Sequence, residues 1–174
     1  MNTKSIENYL NSFGKQVVNR AKGNLQKAKG GATNLESSIS FKVITDANGF
    51  TIQFFMDNYG TFVDKGVSGT GTQRNFKDYK GQVVSSPYKY TTKQPPSRVL
   101  DKWIVKKGIA PRDEKGRFMS RKSISFLIAR SIKKNGIKST SFFQKPLGLG
   151  LKQFGKDLLG AVKEDIIEGL TIVK

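Results

Sequence analysis

The sequence predicts an α+β fold, an antiparallel hairpin-based sheet packed against N- and C-terminal helices, with a long basic insertion between them. Three observations carry that prediction. Apolar residues recur at three- and four-residue steps near both ends of the chain. Two short runs around Asn48-Gly49 alternate apolar and polar residues. Positive charge concentrates in the middle: residues 67–145 hold 19 Lys and Arg against 4 Asp and Glu, whereas 1–66 hold 8 against 5 and 146–174 hold 4 against 4. At 174 residues the chain reads as one domain, 1–174, with residues 67–136 as the insertion carrying two short helices.

The first helix is expected over residues 3–28. Ile6, Leu10, Phe13, Val17, Ala21 and Leu25 form its apolar face, Thr3 can cap it, and Gly30-Gly31 stops it. Ile39, Phe41 and Val43 then alternate with Ser40 and Lys42, which is the two-residue period of a strand. Asn48-Gly49 supplies the positive-φ residues of a tight turn, and Phe50, Ile52, Phe54 and Met56 return on the second strand. A lone hairpin is marginal in water, so its apolar face is expected to lie on the first helix.

The stretch YGTFVDKGVSGTG, residues 59–71, reads as the corner where this core passes into the insertion. Residues 67–97, rich in Gly, Pro, Ser and Tyr, read as a long excursion. Ser97 is expected to cap a short helix over 98–107 with Val99, Leu100, Trp103 and Ile104 as its stripe, Trp103 being a buried anchor, and Gly108 ends it. DEKGR, residues 113–117, is a polar turn. Another helix opens at Ser120 or Ser123, with Ile124, Leu127, Ile128 and Ile132 facing one way, and closes at Gly136. IKSTSFFQKP is extended. A final helix starts near Leu147 and carries Leu151, Phe154, Leu158, Val162 and Ile166, and GLTIVK can add a short strand.

The chain has no Cys and no His, which removes disulfides, thiolate chemistry, the commonest general base and the usual zinc ligand. No apolar run is long enough for a membrane span, and MNTKSIENYL lacks an apolar signal core. A reducing cytoplasm, or a particle assembled there, is the simplest compartment. No cofactor or metal is expected, and no G-x-x-x-x-G-K-[ST] loop is present. One enzymatic thread exists: Asp101 with Asp113-Glu114-Lys115 could hold Mg²⁺ in a nuclease, but such sites need strands, and these residues fall on a helix and a turn.

The order of signals resembles the tail-completion, or head–tail joining, proteins of tailed bacteriophages. In that family a Leu-x-x-Ser-Ile piece opens the sheet, matched by Leu35, Ser38 and Ile39. A Tyr-Ala/Gly-x-x-Val-Glu/Asp-x-Gly piece ends it, matched by Tyr59, Gly60, Val63, Asp64 and Gly66. An aromatic-Pro piece introduces the last helix, matched by Phe142, Phe143, Pro146 and Leu147. Ala32-Thr33-Asn34 stands where Thr-Gly is usual, Ser141 stands where Pro is common, and 67–136 is longer than in short members. The resemblance covers about the outer hundred residues. It implies a homo-oligomeric ring, six- or twelve-fold, at the neck or tail of a virion, without catalysis, beside a portal or other neck and tail proteins.

Tyr59, Phe62, Asp64, Phe142 and Phe143 are the candidates for subunit or partner contact. The plain alternative for Tyr59 and Phe62 is packing at a strand end, and for Asp64 a surface carboxylate or a cap. Lys102, Lys106, Lys107, Arg112, Lys115, Arg117, Arg121, Lys122, Arg130, Lys133 and Lys134 are the candidates for contact with DNA or an acidic partner, against the alternative of a solvated face. Double-stranded DNA carries one charge per about 1.7 Å of axis, so a basic segment is attracted to it without base-specific contact. A basic nucleic-acid-binding protein that forms no ring is the second functional reading.

Overall fold

The computed structural model describes residues 3–29, 33–46 and 49–171. The elements are α1 (Lys4–Lys29), α2 (Asn34–Ser38), β1 (Ser40–Asp46), β2 (Gly49–Phe55), α3 (Gly60–Lys65), β3 (Asn75–Lys77), β4 (Val83–Ser85), α4 (Ser97–Lys106), α5 (Arg121–Asn135) and α6 (Gln144–Thr171). The fold is α+β, with an antiparallel two-stranded sheet between N- and C-terminal helices. A second two-stranded sheet joins β3 and β4. The chain forms two compact units, one of residues 1–64, 77–83 and 140–174, the other of residues 65–76 and 84–139.

The first unit is built on α1. Its expected apolar face, Ile6, Leu10, Phe13, Val17, Ala21 and Leu25, is buried. β1 and β2 pair from Ser40 with Phe55 to Asp46 with Gly49, and Phe41, Val43, Phe50, Ile52 and Phe54 turn toward the core. Phe41 lies so close to Gly14 that a methyl group on that glycine would overlap its ring. α6 packs along α1, with Phe154 edge-on to Phe13 at 4.8 Å. Phe142 and Phe143, just before α6, complete the core under the hairpin, and Phe143 meets Phe54 edge-on at 5.3 Å.

The N-terminus of α1 is closed from far away in sequence. The Asp165 carboxylate, fully buried on α6, accepts from the Ser5 N–H at 2.9 Å and the Ile6 N–H at 3.0 Å. Thr3, expected as the cap, instead donates its hydroxyl to Glu7 at 3.3 Å. Burial alone would raise the pKa of Asp165, but the Ser5 and Ile6 amides and the Ser5 hydroxyl outweigh it and hold the carboxyl below its ordinary value.

Several local expectations are corrected. NLESS does not begin a strand: Thr33 caps it as the helical turn α2, accepting from the Glu36 N–H at 3.2 Å. The 59–71 stretch contains the helix α3 rather than only a strand end. Ser97 is the first residue of α4, and Pro96, which has no side-chain donor or acceptor, occupies its N-cap. Trp103 is 44% exposed, and Leu127 is exposed while Ala129 takes the buried place on α5. α6 begins one turn early, at Gln144, because Asp64 closes its first turn. Leu151 and Ile166 are exposed on α6, and Ala161 and Asp165 are buried instead. Gly169–Thr171 is helical, not a strand, and the rest of that tail lies outside the described residues. So do the expected stop at Gly30-Gly31 and Asn48 of the turn, while Gly49 has φ +136°.

Replacing Asp165 by Ala removes two acceptors from the first turn of α1, and the melting temperature at pH 7 should drop by several degrees. Because the folded pKa is depressed, the stabilisation is complete above the unfolded value of about 3.9 and is lost as pH falls through the folded one. The gap in melting temperature between wild type and Asp165→Ala, followed by circular dichroism, should therefore hold from pH 7 to 5 and close only below about pH 4.

Candidate functional site

The 59–71 stretch closes helix ends. Asp64, 3% exposed, accepts from the Phe143 N–H at 2.9 Å and the Gln144 N–H at 3.5 Å. The next amide, Lys145, bonds to the Ser141 carbonyl at 3.2 Å, and Pro146 has no N–H to satisfy. A carboxylate at the positive end of a helix is also favoured by the helix dipole. Ser141 turns the chain into this cap with φ +47°, donating its N–H to the Asp64 carbonyl at 2.9 Å. Proline, common at this place in the resembling family, fits neither that φ nor that donor.

The glycine half of the stretch closes α5 in the second unit. Thr70 and Gly71 donate their N–H groups to the Lys133 and Lys134 carbonyls at 2.9 and 3.0 Å. Arg74 Nε reaches the Asn135 carbonyl at 2.8 Å, and the Gly136 N–H reaches Ile132 at 2.7 Å. All four terminal carbonyls of α5 therefore have donors. Gly69 lies against the Lys134 carbonyl, where a methyl group would overlap it.

These placements decide among the contact candidates. Phe142 and Phe143 are core residues and Asp64 is a buried cap, so none of the three offers a surface for a subunit or partner. Tyr59 and Phe62 remain 45% and 41% exposed. Partial burial, and then the nearby Asp57 carboxylate, raises the pKa of the Tyr59 hydroxyl above its usual value.

The second unit carries 17 Lys and Arg against 3 Asp and Glu, a net +14. Of the eleven basic candidates, ten are exposed, and Lys133 is half-buried with its Nζ on the Thr92 carbonyl at 2.7 Å. Lys102, Arg121 and Lys122 line a cavity of about 550 Å³ with Arg98. Arg130, Lys133 and Lys134 line another, of about 450 Å³, with Thr70, Gly71 and Phe126. Arg112 stacks on Phe118 at 4.0 Å, and Arg117 pairs with Asp113 at 3.3 Å within the 113–117 turn. Lys106 and Lys107 end α4, and Lys115 lies at the tip of that turn. Sequence reasoning missed Arg98, which only the packing of α4 on α5 brings beside Arg121.

Two of the three carboxylates of the enzymatic thread, Asp101 and Asp113, are occupied. Asp101 pairs with Arg121 at 3.7 Å, and Asp113 accepts from the Lys115 and Arg117 amides at 2.9 Å. Among the described residues no group of three or more Asp or Glu side chains could hold a metal ion. No described helix is long and apolar enough to cross a membrane.

Asp64→Ala should cost about 1–2 kcal/mol by removing the α6 cap, with Asp64→Asn recovering part of it, as read by urea denaturation. Gly69→Ala should disturb the second unit alone. Amide hydrogen exchange should accelerate in α5 while α1 and α6 keep wild-type protection.

No protein-family model, curated protein or solved structure matches this chain.

Proposed function

We propose that the protein is a structural component of a tailed-bacteriophage virion, a non-catalytic subunit of a neck or tail ring whose basic unit meets a polyanion. That polyanion would be packaged double-stranded DNA or an acidic rim on a portal or tail protein, and assembly would take place in the host cytoplasm. The observation that carries this reading is the segregation of charge: +14 falls on one compact unit, against +4 on the other. Solubility needs no such segregation, whereas attraction to a polyanion does.

Two further observations support the ring. The motif order set out above runs through both ends of the chain. In the first unit, Leu151, Leu159, Ile166 and Leu170 are exposed at helical spacing along α6, a row that a neighbouring subunit would cover. The second reading, a basic nucleic-acid-binding protein without a ring, is favoured by exposed Trp103, Phe118 and Phe126 among the cations of the second unit, since aromatic faces can stack on bases.

Mass measurement in solution and electron microscopy, with the protein alone and with its candidate virion partners, should reveal a symmetric assembly. Duplex DNA should bind at low salt and weaken by an order of magnitude or more between about 50 and 200 mM salt. A protein that stays monomeric with every partner but binds DNA tightly would select the second reading. A monomer indifferent to DNA would overturn both.

A further inference from the structure

We propose that the paired N-terminal turns of α4 and α5 form a phosphate-binding subsite. The proposal deepens the polyanion reading and rests on it for the source of the phosphate. Both first turns line the same cavity of about 550 Å³. It is bordered by Ser97, Arg98, Asp101 and Lys102 of α4 and by Arg121, Lys122 and Ser125 of α5.

The contrast with the other helix ends is chemical. Asp165 and Asp64 supply carboxylates to the N-termini of α1 and α6. α4 has no side-chain cap and no acid in its first turn. α5 has the Ser120 hydroxyl on the Ser123 N–H but also no acid in its first turn. The backbone N–H groups of Ser97, Arg98, Arg121 and Lys122 have no acceptor among the described residues. Both helices place cations at their positive ends, the reverse of the arrangement that the helix dipole favours. An anion seated between the two ends reverses the sign of that interaction.

Ser125 is the independent observation. It is 3% exposed, borders the cavity, and makes no side-chain hydrogen bond to any described residue. A hydroxyl with no protein partner is free to donate to a phosphate oxygen. Asp101 is the opposing charge, and Arg121 holds it at 3.7 Å. Arg98, Lys102 and Lys122 make no ion pair among the described residues, so the lining carries four cations against one anion. A tetrahedral oxyanion suits this set because it takes donors from several directions at once. Both a nucleic-acid backbone and free inorganic phosphate carry that group.

The test uses the full ¹⁵N-labelled chain, titrated with inorganic phosphate at constant ionic strength and, separately, with a short DNA duplex. The Ser97, Arg98, Arg121 and Lys122 amides should shift. Ser125→Ala should weaken phosphate about threefold to tenfold, the worth of one hydrogen bond, and leave the melting temperature near wild type. Lys102→Gln with Lys122→Gln should weaken it further, whereas Lys106→Gln with Lys107→Gln, outside the cavity, should leave it unchanged. Shifts with both probes, or with the duplex alone, support the subsite with a backbone phosphate as its ligand. Shifts with phosphate while the duplex fails to bind support the subsite for free phosphate and overturn DNA as the polyanion. A duplex that binds without moving those four amides, or phosphate binding indifferent to Ser125→Ala and to the double variant, overturns the subsite and leaves the polyanion reading standing.

Discussion

A long helix cannot end inside a folded protein without donors for its last carbonyls and acceptors for its first amides. This chain meets that requirement with groups remote in sequence. Asp165 closes the start of α1 across about 160 residues, and Asp64 closes the start of α6 across about 80. Thr70, Gly71 and Arg74 close the end of α5 across more than 60. Such bonds form only once the tertiary structure exists, and each one specifies where a helix begins or stops. α6 shows the effect: its apolar pattern starts near Leu147, yet the helix starts at Gln144, where the Asp64 carboxylate receives it.

The 59–71 stretch is therefore dense for a physical reason. Within about a dozen residues it supplies a buried carboxylate for α6 and a run of backbone donors for α5. The two tasks need opposite chemistry. The first needs an acceptor on a side chain that reaches a helix N-terminus. The second needs backbone N–H groups close to a helix C-terminus, which a Cβ at Gly69 would prevent. An aspartate followed by a glycine-rich exit meets both needs.

Local periodicity made part of the fold readable. The buried face of α1, the faces of the β1–β2 hairpin and the turn at 113–117 follow from spacing alone. The remote partners did not. Asp165 lies in KEDIIEG, where a carboxylate on an amphipathic helix reads as a solvated face, and only the packing of α6 on α1 shows it to be a cap. Asp64 had three open readings, and burial together with the Phe143 amide selects the cap. Phe142 and Phe143 misled in the other direction, because aromatic residues before a helix look alike whether they serve a core or a partner. Trp103 and Leu127 failed because a helix of 10 or 15 residues packed on a single neighbour buries only a narrow stripe, so the flanks of a broad apolar face stay in water.

The basic unit poses the remaining physical problem. Two of its three carboxylates, Asp101 and Asp113, already pair with Arg121 and Arg117. Other cations are held by neutral groups: Lys133 by a carbonyl, Arg112 by the face of Phe118. Most of the rest have only solvent to neutralise them, and mutual repulsion works against compactness. Small counterions can screen such a field but cannot fit a shape. A polyanion can do both, because it delivers several charges at fixed spacing and releases the condensed counterions of both surfaces on contact. The exposed cations lie on two helices and one turn rather than along a single reading helix. That distribution suits recognition of phosphate groups by charge and position more than recognition of base sequence.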